Sequence, residues 1–239
     1  MERKRYVVIM AAGSGTRMGA ELPKQFLLLD GKPILQKTIE VFLEACPGIS
    51  VVTVLPEDFI QYWKDCCLRS SFICPQILVK GGITRFHSVR NALARIPEGA
   101  LVAVHDGVRP LITPAKIREL FDLAENCPGV VPVVPCVDTM KVLQPSESKE
   151  IWSEIPGREA DRSELFGAQT PQVFQSEIIK AAYGMPYDTA FTDDASVVSR
   201  YGKSLSYTMG ERLNIKITTP EDLILARAVT AALEEGYSL

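Results

Sequence analysis

Histidine is nearly missing from this 239-residue sequence, which holds only His87 and His105. Six cysteines (46, 66, 67, 74, 127, 136) are present, but none forms a Cys-x-x-Cys pair, so a zinc framework has no support. They read as reduced, mostly buried thiols. No apolar run approaches the roughly 18 residues of a membrane span. No long basic block exists either: 26 Lys and Arg stand against 29 acids, for a net charge of −3, which excludes an electrostatic nucleic-acid binder. With 46% hydrophobic and 23% charged residues, the chain has too much apolar material for disorder. Met1 to Arg5 followed by Tyr6 to Ala12 imitates a signal peptide, but so short an apolar stretch sits at the lower limit for one. A cytoplasmic protein is expected.

What is present is alternation. Tyr6–Met10, Ile49–Leu55, Gln76–Lys80, Leu101–Val104 and Val130–Val134 are short and uniformly apolar, which predicts buried parallel strands. Pro33, at a first helical position, precedes Ile34, Leu35, Thr38, Ile39, Phe42 and Leu43, a stripe at helical spacing. Thr113-Pro114 opens a second helix in the same way, and Thr219-Pro220-Glu221-Asp222 a last one toward Glu234. Strand and helix in turn give a three-layer α/β/α fold with a mostly parallel sheet, one domain over 1–239. Residues 137–163 interrupt it, being polar, charged and Pro- and Gly-containing. They read either as a flexible surface insertion or as a projecting β-arm, whose Trp152 would be explained by burial against a second subunit, in a homodimer.

The chemistry concentrates in the first loop. Ala11-Ala12-Gly13-Ser14-Gly15-Thr16-Arg17-Met18-Gly19 lets backbone amides close on an anion. Arg17 and Lys24 add two cations suited to a polyphosphate. Pro23 disfavours a helix starting here, against a nicotinamide-binding turn, and no Lys-Ser/Thr pair follows glycines at the spacing a P-loop requires. Asp106 follows an apolar run, at a strand's carboxyl end, where a divalent cation or ligand would sit in an open sheet; a turn acid is the other reading. Arg109 beside it, the Thr139 and Thr170 hydroxyls and Lys216 within Ile215 to Ile217 also have plain readings as surface cation, local hydrogen-bonders and solvent side of a strand. The Thr192-Asp193-Asp194 acids read as a helix N-cap and first turn.

In order along nearly the whole chain, Ala11 to Arg17, Pro23-Lys24-Gln25, Gly81-Gly82 with Arg85 and Ser88, Val104-His105-Asp106-x-x-Arg109-Pro110, Asp138 to Lys141, Thr170-Pro171-Gln172, Thr192 to Ser196 and Asn214 to Thr218 resemble the 2-C-methyl-D-erythritol 4-phosphate cytidylyltransferase family. The resemblance implies a nucleotidyltransferase fold, a homodimer formed through the arm, and cytidylyl transfer from CTP to 2-C-methyl-D-erythritol 4-phosphate with Mg²⁺, in the non-mevalonate isoprenoid pathway. It implies Arg17 and Lys24 as transition-state stabilisers and Asp106 as metal ligand. Ala12, Gly13, Gly82 and Ser88 would contact the nucleotide within the cradle of Ala11, Ser14 and Gly15, and carbonyls near Ala11 or Gly81 would read cytosine. Arg109, Thr139, Arg162, Thr170 and Lys216 would surround the acceptor phosphate, Thr139 and Arg162 being donated across the dimer. The chemistry agrees, because a phosphate monoester is largely dianionic at neutral pH and needs no histidine base. A fused cyclodiphosphate synthase, found in some relatives, is not expected, since the last helix closes the chain by Leu239. Ribitol-5-phosphate cytidylyltransferase and a non-catalytic nucleotide-binding protein are the alternatives.

Overall fold

A computed structural model describes residues 3–13, 22–146 and 151–235. Strand β1 (Arg5–Met10) leads through a tiny hairpin, β2 (Leu28–Leu29) and β3 (Lys32–Pro33), into α1 (Ile34–Ala45). Then follow β4 (Ser50–Leu55), α2 (Ile60–Arg69), β5 (Gln76–Lys80), α3 (Arg85–Leu93), β6 (Leu101–Asp106), α4 (Pro114–Ala124) and β7 (Gly129–Pro135). The arm carries β8 (Leu143–Pro145) and β9 (Trp152–Glu154). The chain returns through β10 (Phe166–Ala168), β11 (Gln172–Gln175), α5 (Ser176–Ala182), α6 (Asp194–Arg200), β12 (Ser206–Met209) and α7 (Pro220–Glu234).

The main sheet runs β10-β7-β11-β6-β1-β4-β5, with β12 also beside β7. β5, β4, β1 and β6 are parallel, as are β7 and β12, whereas β10 and β11 run against their neighbours. Period-two alternation assigns the two faces. Val7 and Ile9 join α1, α2 and α4 in one core cluster. Tyr6 and Val8 join α3, α5 and α6 in the other. Three layers result, as expected, and each fully buried Val, Leu or Ile contributes about 1.5–3 kcal/mol of burial. A third cluster, of Leu29, Ile34, Val108, Ile217 and Ala226, glues α7 to the small hairpin.

Local chemistry explains the helix starts. Thr113 caps α4 ahead of Pro114, and Thr219 with Asp222 forms a capping box ahead of Pro220. Pro33 differs from expectation: it is the N-cap, not the first helical residue. Its pairing with Leu28 holds it extended at φ −54°, ψ 139°. The segment around Lys216 is likewise no strand. It is extended coil, pinned by the Ile217 amide on the Val108 carbonyl at 2.9 Å. The predicted arm is a short hairpin, with Leu143 opposite Glu154 and Pro145 opposite Trp152, and both strands are exposed. All six cysteines are free thiols, but only Cys46 and Cys66 are buried, because the other four lie on an outer helix flank or at element ends. Among the described residues no helix is long and apolar enough to cross a membrane.

Candidate active site

β1 and β6 are neighbours in register, Met10 opposite Asp106, so their carboxyl ends open on one place. A cavity of about 420 Å³ lies there. Its walls are Met10 to Gly13 after β1, Lys24 and Gln25, Gly82 to Arg85 with Ser88 at the start of α3, Asp106 and Val108 after β6, and Lys216 and Thr218. Glycines let the chain pack tightly at and just behind this wall. A Cβ on Gly81 would lie 2.7 Å from that of Ala12, and one on Gly107 would lie 3.1 Å from the Met10 carbonyl. One on Gly82 would run into His87.

Buried side chains hold these loops in place. Gln25 is 1% exposed, and its Nε2 donates to the carbonyls of Ala11 at 2.7 Å and Gly13 at 3.3 Å. Ser88 Oγ accepts from the Gly82 amide and donates to the Thr84 carbonyl, both at 2.9 Å, tying the glycine loop to α3. The Ala11 carbonyl expected to read cytosine thus already serves Gln25, and Gly81 lies behind the wall, its amide on the Leu55 carbonyl at 2.8 Å.

Asp106 is the electrostatic centre. Its Oδ2 receives Lys216 Nζ at 3.0 Å and Arg109 Nε at 3.3 Å, and its amide donates to Thr170 Oγ1 at 3.1 Å. Burial opposes its charge, but Lys216, Arg85 and Arg109 together outweigh burial and hold the carboxyl well below its ordinary range. Asp106 is therefore ionised at neutral pH. It is the one carboxylate on the cavity wall among the described residues, where no group of three or more His, Cys, Asp and Glu could enclose a metal. His105 is no acid or base for this cavity. Its ring is fully buried, its Nε2 meets the Arg109 carbonyl at 3.0 Å, and burial pushes its pKa down to about 4. His87 faces Thr84 Oγ1 at 2.8 Å in the first turn of α3.

Of the residues expected from the sequence, Ala11, Ala12, Gly13, Lys24, Gly82, Ser88, Asp106 and Lys216 converge on this cavity, with Thr170 and Arg109 directly behind Asp106. Ser14, Gly15 and Arg17 lie outside the described residues. Thr139 and Arg162 are not on the wall. Thr139 lines a groove on the arm, and Arg162 Nη1 donates to the Val137 carbonyl at 3.1 Å. Sequence reasoning gave no role to Gln25 or Arg85. Both stand inside quoted motifs, but what they bind lies across the fold: Arg85 pairs with Asp194, which local spacing cannot reveal.

The family model for 2-C-methyl-D-erythritol 4-phosphate cytidylyltransferase matches residues 6–232. A relative with that name from Bacteroides thetaiotaomicron is 43% identical over 226 residues, covering 95% of this chain and 99% of the relative. Another, from Porphyromonas gingivalis, is 44% identical over 229 residues, covering 95% and 98%. Among solved structures, a 4-diphosphocytidyl-2C-methyl-D-erythritol synthase superposes with a TM-score of 0.77 at 28% identity, covering 96% of this chain and 100% of that one. The 2-C-methyl-D-erythritol 4-phosphate cytidylyltransferase from Thermus thermophilus gives 0.70 at 26%, covering 96% and 99%. Fold, cavity and near end-to-end similarity point one way, and the chain belongs to the 2-C-methyl-D-erythritol 4-phosphate cytidylyltransferase family.

Proposed function

We propose that this enzyme transfers the cytidylyl group of CTP to 2-C-methyl-D-erythritol 4-phosphate, forming 4-diphosphocytidyl-2-C-methyl-D-erythritol and releasing pyrophosphate, a step of non-mevalonate isoprenoid synthesis. The observation that carries the chemistry is the cavity itself, where Lys24, Arg85 and Lys216 share the wall with an ionised Asp106 and with Gly13 and Gly82. A phosphate monoester has its second pKa at about 6, so the acceptor attacks as a dianion without a general base. The chain must instead bring two anions together and neutralise the charge that grows as pyrophosphate leaves. Fixed cations in a site closed to water do this, and removing one such group typically costs a factor of about 10²–10³ in rate.

Amides of the first loop and Gly82 cradle the nucleotide in this reading, while Lys24, with Arg17, meets the phosphates. Mg²⁺ fits the donor set: it usually keeps water and binds through one or two carboxylates plus substrate phosphates, and Asp106 supplies one ionised carboxylate without a protein cage. Asp106 would hold the ion together with the CTP phosphates, and the bound ion would add electrostatic neutralisation at the α-phosphate. Arg109, Thr170 and Lys216 border the acceptor side. Thr139 and Arg162 reach that side from a partner's arm in a homodimer. Trp152, 60% exposed, and Ile151, 65% exposed, supply the apolar surface of the contact. Six free thiols suit a reducing compartment, and we place the reaction in the cytoplasm.

Incubation of the pure protein with CTP, 2-C-methyl-D-erythritol 4-phosphate and Mg²⁺ should release pyrophosphate, and a chelator should stop it. No release, under conditions where a control enzyme works, rejects the reading. Ribitol 5-phosphate offered in competition should be the poorer acceptor.

A further inference from the structure

Asp194 is a charged residue buried beyond the cavity wall. It opens α6 and exposes nothing. Its carboxylate receives Arg85 Nη1 and Nη2 at 2.7 Å each, and Oδ1 also accepts from the Tyr183 hydroxyl at 2.6 Å. Arg85 keeps 34% of its side chain exposed and lines the cavity, whereas Asp194 and Tyr183 do not. One ion pair thus joins the sealed interior to the wall that faces the nucleotide.

Stability alone is a poor reason for this arrangement, because a buried pair often contributes no more than apolar side chains of the same volume. What a two-bonded carboxylate supplies is direction, since parallel bonds fix the plane of a guanidinium. Each member is itself held. Gln172 donates from Nε2 to Asp193 Oδ2 and accepts the Ala195 amide at Oε1, both at 2.8 Å, so the first turn of α6 cannot drift. The Tyr183 ring stacks on Phe86, the residue after Arg85, at 4.7 Å. Burial first, and Asp194 next, keep the Tyr183 hydroxyl protonated far above its ordinary range, so it remains a donor. Opposing burial, Asp194 keeps Arg85 charged.

We propose that Asp194, backed by Tyr183, is a positioning residue that aims the Arg85 guanidinium at the bound nucleotide and thereby sets the affinity for CTP. The inference rests on the reading that the cavity takes CTP, so wild-type CTP binding is measured first, and its absence refutes that reading rather than this one. Arg85→Gln, Asp194→Asn and the double variant are then compared by calorimetric CTP titration and by steady-state kinetics, with thermal melting to report the fold. Each single change should weaken CTP binding about tenfold, with KM moved more than kcat, and the double variant should bind no worse than Arg85→Gln alone. Multiplying losses in the double variant, or unchanged CTP affinity in folded Asp194→Asn, overturns the proposal. Should either charge-removing variant fail to fold, Tyr183→Phe decides: it should weaken CTP binding a fewfold at constant kcat, and wild-type affinity overturns the idea.

Discussion

At the scale of single residues, the site is a set of fixed charges rather than a proton relay, and this separates two kinds of substitution. Lys24 stands on the cavity wall, where in the proposed reaction charge would grow as pyrophosphate departs. Lys24→Ala should therefore lower kcat about 100-fold with a much smaller change in KM for CTP, read from initial rates of pyrophosphate release. His105 belongs to the fold instead. Its folded pKa of about 4 lies below the ordinary value of 6.5, so between those limits the unfolded chain takes up a proton that the native chain refuses. The resulting contribution to stability is complete above pH 6.5 and is lost as pH falls toward 4, by at most about 3 kcal/mol. Urea midpoints measured from pH 7 to 5 should fall in the wild type and flatten in His105→Gln. Asp106 does not confuse that window: its carboxyl sits well below the usual range, so its contribution persists until lower pH.

At the scale of elements, the glycine turn ahead of α3 is the tightest joint in the nucleotide wall. A Cβ at Gly82 would strike His87 and lie 3.1 Å from the Ser88 amide. Gly82→Ala should push the turn off Ser88 and raise KM for CTP about tenfold or more, while the melting temperature moves by a few degrees at most. Much of this architecture was legible beforehand. The apolar runs predicted β1, β4, β5, β6 and β7 to within one or two residues at each end, and Thr-Pro pairs located the starts of α4 and α7. Other elements were not. β10, β11 and β12 are three or four residues long, too short for an alternation to register, and they owe their existence to pairing with β7 or β6. Lys216 looked like the outer face of a strand because Ile215 and Ile217 flank it. The Val108 carbonyl and the Asp106 carboxylate, neither visible in local spacing, decide its true position. Asp193 and Asp194 were correctly read as a cap and first turn, but the cap hid the second function of Asp194, since a helix start and a buried counter-ion call for the same side chain.

At the scale of the whole molecule, the arm leaves several large apolar side chains without cover. Val137, Leu143, Ile151, Trp152 and Phe166 are all exposed along it or beside its base. In the proposed dimer, whose arms would donate Thr139 and Arg162 across the contact, Trp152→Glu should shift the mass measured by light scattering from dimer to monomer and lower turnover of the acceptor more than affinity for CTP. A monomeric wild type would remove the arm from the reaction altogether. The close packing behind the cavity wall has a separate bearing on inhibition. Gly81 against Ala12 and Gly107 against Met10 lie just behind the wall, and neither position has room for a side chain. A compound seated in this cavity would therefore meet few tolerated substitutions at those two positions, since a bulkier residue there would shift the wall on which a nucleotide also depends.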